Sequence, residues 1–235
     1  MYSFLFNYAY FFSTFIVLIV WLPIFVKRKD LRKEMLFSGV LCSYLGATDF
    51  LYIPEYWNPP FLFNLMNHFG FSIEDIILWF FIGGIIAVLY EYVLGQHLIK
   101  IKGRSHFHLG VIVIFMILYF GLELIFPKYT ILNLAFACTS AGVFGFLFRK
   151  DLFIQVMLSG VLFMALYVFL FNIFLAVFPE FINKFYSHSN LLGIYFLNLP
   201  IEEFMISFGG GMMWSVLYEY TLGYKTGGLK TRKFH

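Results

Sequence analysis

The feature that most constrains this chain is a series of apolar runs, each about as long as a bilayer is thick. They are read at residues 2–26, 34–53, 71–94, 109–126, 129–148, 152–178 and 199–222. A helix rises about 1.5 Å per residue, so roughly 20 residues cross a ~30 Å hydrocarbon core. Composition agrees. Hydrophobic residues make up 61% of the chain and charged residues only 12%, against about 25% charged in soluble domains. A globule of 235 residues with so few charges would leave most of its surface apolar and would aggregate. The sequence thus argues against a soluble enzyme, a disordered tail and a nucleic-acid binder. It predicts an all-α integral membrane protein with seven transmembrane helices, surrounded by membrane lipid. Cys42 and Cys138 fall inside apolar runs and read as small hydrophobes, not as a disulfide or metal site. The first run is long enough to span and lacks a small-residue cleavage site, so no removable leader is expected.

The polar segments between runs alternate in charge. Lys27, Arg28, Lys29, Arg32 and Lys33 follow the first run, and Lys100, Lys102 and Arg104 the third. Arg149 and Lys150 follow the fifth, and Lys225, Lys230, Arg232 and Lys233 lie in the tail. Fourteen of the 16 Lys and Arg thus fall on one side, leaving only Lys128 and Lys184 on the other. The positive-inside rule then places the N-terminus outside and the C-terminus in the cytoplasm of a cell membrane. An odd number of spans requires the same. The net charge of +3 reads as this topology signal.

The chain also resembles itself. Residues 73–95 read IEDIILWFFIGGIIAVLYEYVLG and residues 201–223 read IEEFMISFGGGMMWSVLYEYTLG, identical at 11 of 23 positions. Upstream, Arg28-Lys29-Asp30-Leu31 matches Arg149-Lys150-Asp151-Leu152, and Ser38-Gly39-Val40-Leu41 matches Ser159-Gly160-Val161-Leu162. The expected organisation is a first three-helix repeat at 1–95, a linking helix at 96–128, a second repeat at 129–224 and a cytoplasmic tail at 225–235. Three helices are an odd number, so direct fusion would invert the second copy. The linking helix restores its direction, and the copies run parallel about an axis along the membrane normal. Matching residues then lie at one depth, and a site can draw on both copies.

Ionisable residues inside spans are costly and usually functional. On the outer side lie Asp49, the pair Glu74 and Asp75, Glu123, and the pair Glu202 and Glu203, with Asn172, Asn198 and His68 at similar depth. Glu202 and Glu203 follow Pro200, which suits a first helical turn, and carboxylates there favour the helix dipole. A well-made helix start therefore competes with function. Adjacent residues on a helix, however, point about 100° apart, so one acid of each pair must face protein or lipid. A carboxylic acid in an apolar cavity is a proton donor. Glu91 and Glu219, flanked by tyrosines near the basic fringe, read as structural ion pairs. Glu123 could serve either role. His106 and His108 read as a solvated loop, and Gly209-Gly210-Gly211 as close helix packing. No nucleotide fingerprint, zinc spacing or catalytic triad is present, so no cofactor and no metal are expected.

A repeated three-helix unit whose third helix opens with Leu199-Pro200-Ile201-Glu202-Glu203 resembles the lycopene cyclase domain family. This is the non-flavin type found as two small subunits in actinobacteria and as fused proteins in archaea and fungi. In the first copy the matching segment is Phe71-Ser72-Ile73-Glu74-Asp75, without the proline and with Asp in place of the second Glu. The resemblance implies a lipophilic polyene substrate and redox-neutral acid catalysis in an isomerase. A carboxylic acid protonates the terminal double bond of lycopene, a chain double bond attacks the cation, and a base removes a ring proton to leave a β-ionone-type ring. It assigns the acid and its partner to Glu202 and Glu203, with Glu74 and Asp75 as the counterpart pair and Asp49 nearby. Aromatic faces stabilise cations, so Trp79, Phe80 and Phe81 below the first pair, and Phe204 and Phe208 below the second, are expected to line the substrate site with Asn172 and Asn198. Two readings stand beside cyclisation. Water could capture the same cation, giving a hydratase, or the repeats could form a proton- or cation-coupled transporter.

Overall fold

The computed structural model describes residues 6, 8–101 and 109–227. Lys102, Arg104, His106, His108, Lys230, Arg232 and Lys233 lie outside the described residues, as does the start of the first apolar run. The chain is mostly helical. Its long helices are α1 (Ala9–Lys27), α2 (Arg32–Gly46), α3 (Ile73–Leu94), α4 (Gly110–Ile125), α5 (Thr130–Phe148), α6 (Phe153–Val177) and α7 (Ile201–Leu222). Among the described residues, four segments are long and apolar enough to cross a membrane: Ala9–Lys27, Ile73–Leu94, Pro127–Phe148 and Lys150–Val177. The apolar α4 is shorter, and α2, at 15 residues, reaches only about 22 Å along its axis. The run read at 34–53 in fact breaks after Gly46 into turns and a short 3-10 segment at Asp49–Leu51. Its second half turns across the end of the bundle.

Helices α3 and α7 form the centre. α2 and α1 pack on α3, α5 and α6 pack on α7, and α3 and α7 meet each other. Small residues set these crossings. A Cβ on Gly83 would come 2.8 Å from the Ser38 carbonyl oxygen, and one on Gly211 would come 2.7 Å from the Ser159 carbonyl oxygen. Gly39 lies in the same way against the Phe80 carbonyl, and Gly160 against the Phe208 ring. Both crossings are closer than any side chain permits.

The two central helices end alike. Ser72 caps α3 by accepting the Asp75 N–H at 3.0 Å, while Pro200 precedes α7, where its fixed φ suits a helix start. At the other end Gly95 (φ 63°) and Gly223 (φ 74°) take the left-handed conformation that closes a helix. Arg28 then donates to the Glu91 carbonyl at 3.0 Å and the Gln96 carbonyl at 2.6 Å. Arg149 donates to the Glu219 carbonyl at 3.3 Å and the Tyr224 carbonyl at 2.8 Å. Each arginine also pairs with an aspartate two residues on, Asp30 at 2.8 Å and Asp151 at 2.6 Å. Cationic side chains at a helix C-terminus satisfy its last carbonyls and its dipole.

Beyond these helix ends, β1 (His97–Lys100) pairs antiparallel with β4 (Tyr224–Gly227), His97 opposite Gly227 and Lys100 opposite Tyr224. At the opposite end Trp57 and Tyr186 form a bridge. It is flanked by the Asn58 N–H donating to the Phe185 carbonyl and the Ser187 N–H to the Tyr56 carbonyl, both at 2.8 Å. A two-residue hairpin, β2 (Tyr195–Phe196) with β3 (Leu199–Pro200), leads into α7.

Candidate active site

The first turns of α3 and α7 each carry two buried acids, and each pair divides the same way. The first acid of each pair holds a loop. The Glu74 carboxylate accepts the Leu62 N–H at 2.5 Å, and the Glu202 carboxylate accepts the Leu192 N–H at 2.5 Å. The second acid, Asp75 or Glu203, faces a cavity of about 180 Å³ between the two helices. The 100° step between neighbours on a helix accounts for the split: when one carboxyl meets the loop, the next meets the interior.

The cavity follows one stripe on each helix. On α3 the stripe is Asp75, Leu78, Trp79, Ile82 and Ile86; on α7 it is Glu203, Ile206, Ser207, Gly210 and Trp214. Both repeat at i, i+3, i+4, i+7 and i+11, the spacing of a single helix face. α1 adds Tyr10, Ser13, Ile16 and Val17, α5 adds Leu134 and Cys138, and α6 adds Phe163 and Tyr167. Apart from the two acids and a few hydroxyls, the wall is apolar.

Hydroxyl groups surround the acids. Tyr56 and Tyr186 donate to Glu203 Oε1, each at 2.7 Å, and Tyr167 donates to Oε2 at 2.6 Å. Asp75 accepts from Ser72 Oγ at 2.6 Å and from the Tyr10 hydroxyl. Aromatic edges join the two centres: the Tyr10 ring lies 4.5 Å from Trp57, and Trp57 lies 6.1 Å from Tyr186. Buried tyrosine hydroxyls need partners, and here the partners are the cavity's carboxyl groups. These tyrosines were not singled out in the sequence. The available signal was weak: Tyr167 is the one tyrosine of the run 152–178, whereas Tyr10 shares its run with Tyr2 and Tyr8.

The other expected site residues sit as follows. Trp79 is in the cavity wall. Phe80 and Phe81 pack on Trp21, at 5.9 and 5.4 Å between rings. Phe204 packs on Phe196 at 5.5 Å, and Phe208 lies against Gly160 on α6. Asn172 returns its amide to the Val168 carbonyl of its own helix at 2.8 Å. Asn198 is exposed at the hairpin turn, with Leu197 and Asn198 both at positive φ, the conformation a two-residue hairpin requires. Asp49 opens the 3-10 turn that follows α2; its side chain lies outside the described residues. Glu123 accepts from Asn133 at 2.8 Å and Thr130 at 3.2 Å, tying α4 to the start of α5. His68 lies on the short helix Leu65–Phe69.

Glu91 and Glu219 depart from the ion pairs expected of them. Their arginine neighbours bind backbone carbonyls and Asp30 or Asp151 instead. The two carboxyls adjoin one another, with the fully buried Glu34 beside them and Gln155 donating to Glu219. An arginine at a helix end has two free carbonyls and a flexible aspartate within reach, and these outcompete a carboxylate one turn deeper. Among the described residues, no group of three or more acids, histidines or cysteines is arranged to hold a metal ion.

The family model for lycopene cyclase matches residues 127–221 of this chain. No curated protein matches the chain, and no solved structure does. The matched stretch holds α5, α6 and most of α7, and with them Tyr167, Tyr186, Glu203 and Gly210.

Proposed function

We propose, from the match of residues 127–221 to the lycopene cyclase family model, that this protein is a membrane-embedded carotenoid cyclase acting on the acyclic end of a polyene such as lycopene. The observation that carries the reading is that Asp75 and Glu203 face one apolar, aromatic-walled cavity from two helices. Redox-neutral cyclisation needs a proton put on one carbon and a proton taken from another. Two carboxyl groups and a water-poor pocket supply that chemistry with no cofactor.

We assign the proton donor to Asp75. Its proton adds to the terminal double bond, and the internal double bond attacks the tertiary cation to close the ring. Glu203 receives three tyrosine hydroxyls, which suit a carboxylate, and acts as the proton acceptor in ring closure. It lies opposite the cation and takes the ring proton that restores a double bond. One proton enters the polyene from Asp75 and one leaves it to Glu203, so the product is an isomer of the substrate, and return of a proton from Glu203 to Asp75 readies the site for the next turnover. Trp79 offers an aromatic face to the cation. Glu74 and Glu202 are positioning residues that hold the outer loops over the cavity.

The same reading takes all seven long helices as membrane elements, with the N-terminus outside. It takes 1–95 and 129–224 as parallel copies. The matched glycine crossings, arginine clamps and loop-holding acids support this, since each occurs once in either half at corresponding positions.

Expression in lycopene-accumulating cells tests the proposal. A cyclic carotenoid of unchanged mass is expected. Unchanged lycopene alongside folded protein would overturn it, and a product heavier by one water would make the enzyme a hydratase.

A further inference from the structure

Three consecutive glycines, Gly209, Gly210 and Gly211, lie in the middle of α7, and the structure gives them different surroundings. A Cβ on Gly209 would meet Thr139 Oγ1 at 2.6 Å and the Ala135 carbonyl at 2.8 Å, on α5. A Cβ on Gly211 would meet the Ser159 carbonyl at 2.7 Å and Gly160 Cα at 2.8 Å, on α6. Each of these glycines lets a neighbouring helix come close. Gly210 has no atom within 4 Å of the same point, although the residue is buried, and it lines the cavity. The space beside it is the cavity itself.

Position explains what that space does. Gly210 lies seven residues beyond Glu203, about 10 Å down the helix, and Trp214 lies eleven beyond, about 16 Å down. The corresponding position on α3 is Ile82, which fills its side of the wall. The slot thus widens on the α7 face alone, between the reacting acids and the indole that lines its deeper part. We propose that Gly210 is a specificity-determining residue: it keeps open the length of slot that receives the polyene chain behind the reacting end. This rests on the carotenoid cyclase reading and narrows its substrate class to long acyclic isoprenoid polyenes whose chain passes Gly210.

The test uses the full-length protein with Gly210→Ala, Gly210→Leu and Gly210→Phe. It compares lycopene with a truncated polyene that carries the same acyclic end but stops short of Gly210. The ratio of lycopene conversion to truncated-polyene conversion should fall in the order Ala, Leu, Phe. For Phe it should fall by roughly tenfold or more, the scale of misfit in an apolar pocket. Equal losses on both substrates, or an unchanged ratio in Gly210→Phe, would overturn the proposal. Thermal midpoints establish that each variant folds, and if Phe does not, the Ala and Leu ratios decide. Lycopene binding, read from the absorption shift of the polyene, separates the two readings. If the wild type binds lycopene but cyclises neither substrate, the cyclase reading fails, and loss of that binding in Gly210→Leu still supports the slot. Retained binding there sinks it.

Discussion

Adjacent carboxyl groups in this protein have different work, and the difference is measurable. Glu203→Gln keeps the shape and removes the proposed proton acceptor, so cyclisation should fall by at least ~100-fold, the usual scale for losing a general acid or base. Glu202→Gln keeps an oxygen for the Leu192 N–H and should cost far less. Pigment extracts from cells with matched protein levels compare the two. Such a split was only half legible in the sequence. The 100° step said that one acid of each pair turns inward, but the rotation of the helix about its axis decides which, and packing sets that rotation. The glycine triplet posed the same problem. Its two outer members are packing residues, so Gly209→Ala and Gly211→Ala should each destabilise by about 1–3 kcal/mol through overpacking, read as a lower thermal midpoint in detergent. Nothing in the triplet alone marked Gly210 as the member that faces open space.

At the scale of the element, the ends of α3 and α7 are held by arginines more than by the helices' own sequence. Arg149 is almost fully buried and serves two carbonyls and Asp151. Replacing it with Ala leaves acceptors without donors and should cost about 2–4 kcal/mol, since bonds to charged groups are worth about 1.5–3 each and orphaned acceptors add to the loss. Arg28 and Asp30 make the matching clamp in the other half, at a more exposed place. The Arg28 guanidinium, helped by His97 and opposed by partial burial, holds the Asp30 carboxyl down at about 2. Its folded value lies below its unfolded one, so the stabilisation is present above the ordinary carboxylate range. It is lost only as pH falls toward 2. An NMR titration of Asp30 checks this, and Arg28→Ala should raise the value toward the ordinary range, with the His97 contact remaining. The apolar runs forecast the helices well because hydrocarbon length and helical rise leave little freedom. They overran at 47–53, where the chain leaves the helix for turns although its composition still reads as a span. The loops at Tyr56 and Tyr186, which carry two of Glu203's three donors, were invisible for a related reason: no periodicity marks a loop residue that reaches into a site.

For the whole molecule, the site is divided between halves. Asp75 comes from α3 and Glu203 from α7, and strand pairing at one end and the Trp57–Tyr186 bridge at the other tie the first half of the chain to the second. Fragments 1–128 and 129–235 should each be inactive alone and regain activity when co-expressed, as measured by pigment formation. Orientation is testable in the same cells. With the N-terminus outside, as proposed, the exposed Ser189 replaced by Cys (Ser189→Cys) should react with an impermeant maleimide in intact cells, whereas Lys29→Cys should react only after permeabilisation.

The unequal walls of the cavity bear on the order of events. One face presents an aspartate above an isoleucine, the other a glutamate above a glycine. On the proposed cyclase reading, such a slot takes a chain in one direction and acts on one terminus per visit. A polyene with two identical ends must withdraw, reverse and enter again before its second ring can form. A time course should therefore show the singly cyclised pigment rising first and being consumed later, at a rate set by re-entry rather than by ring closure.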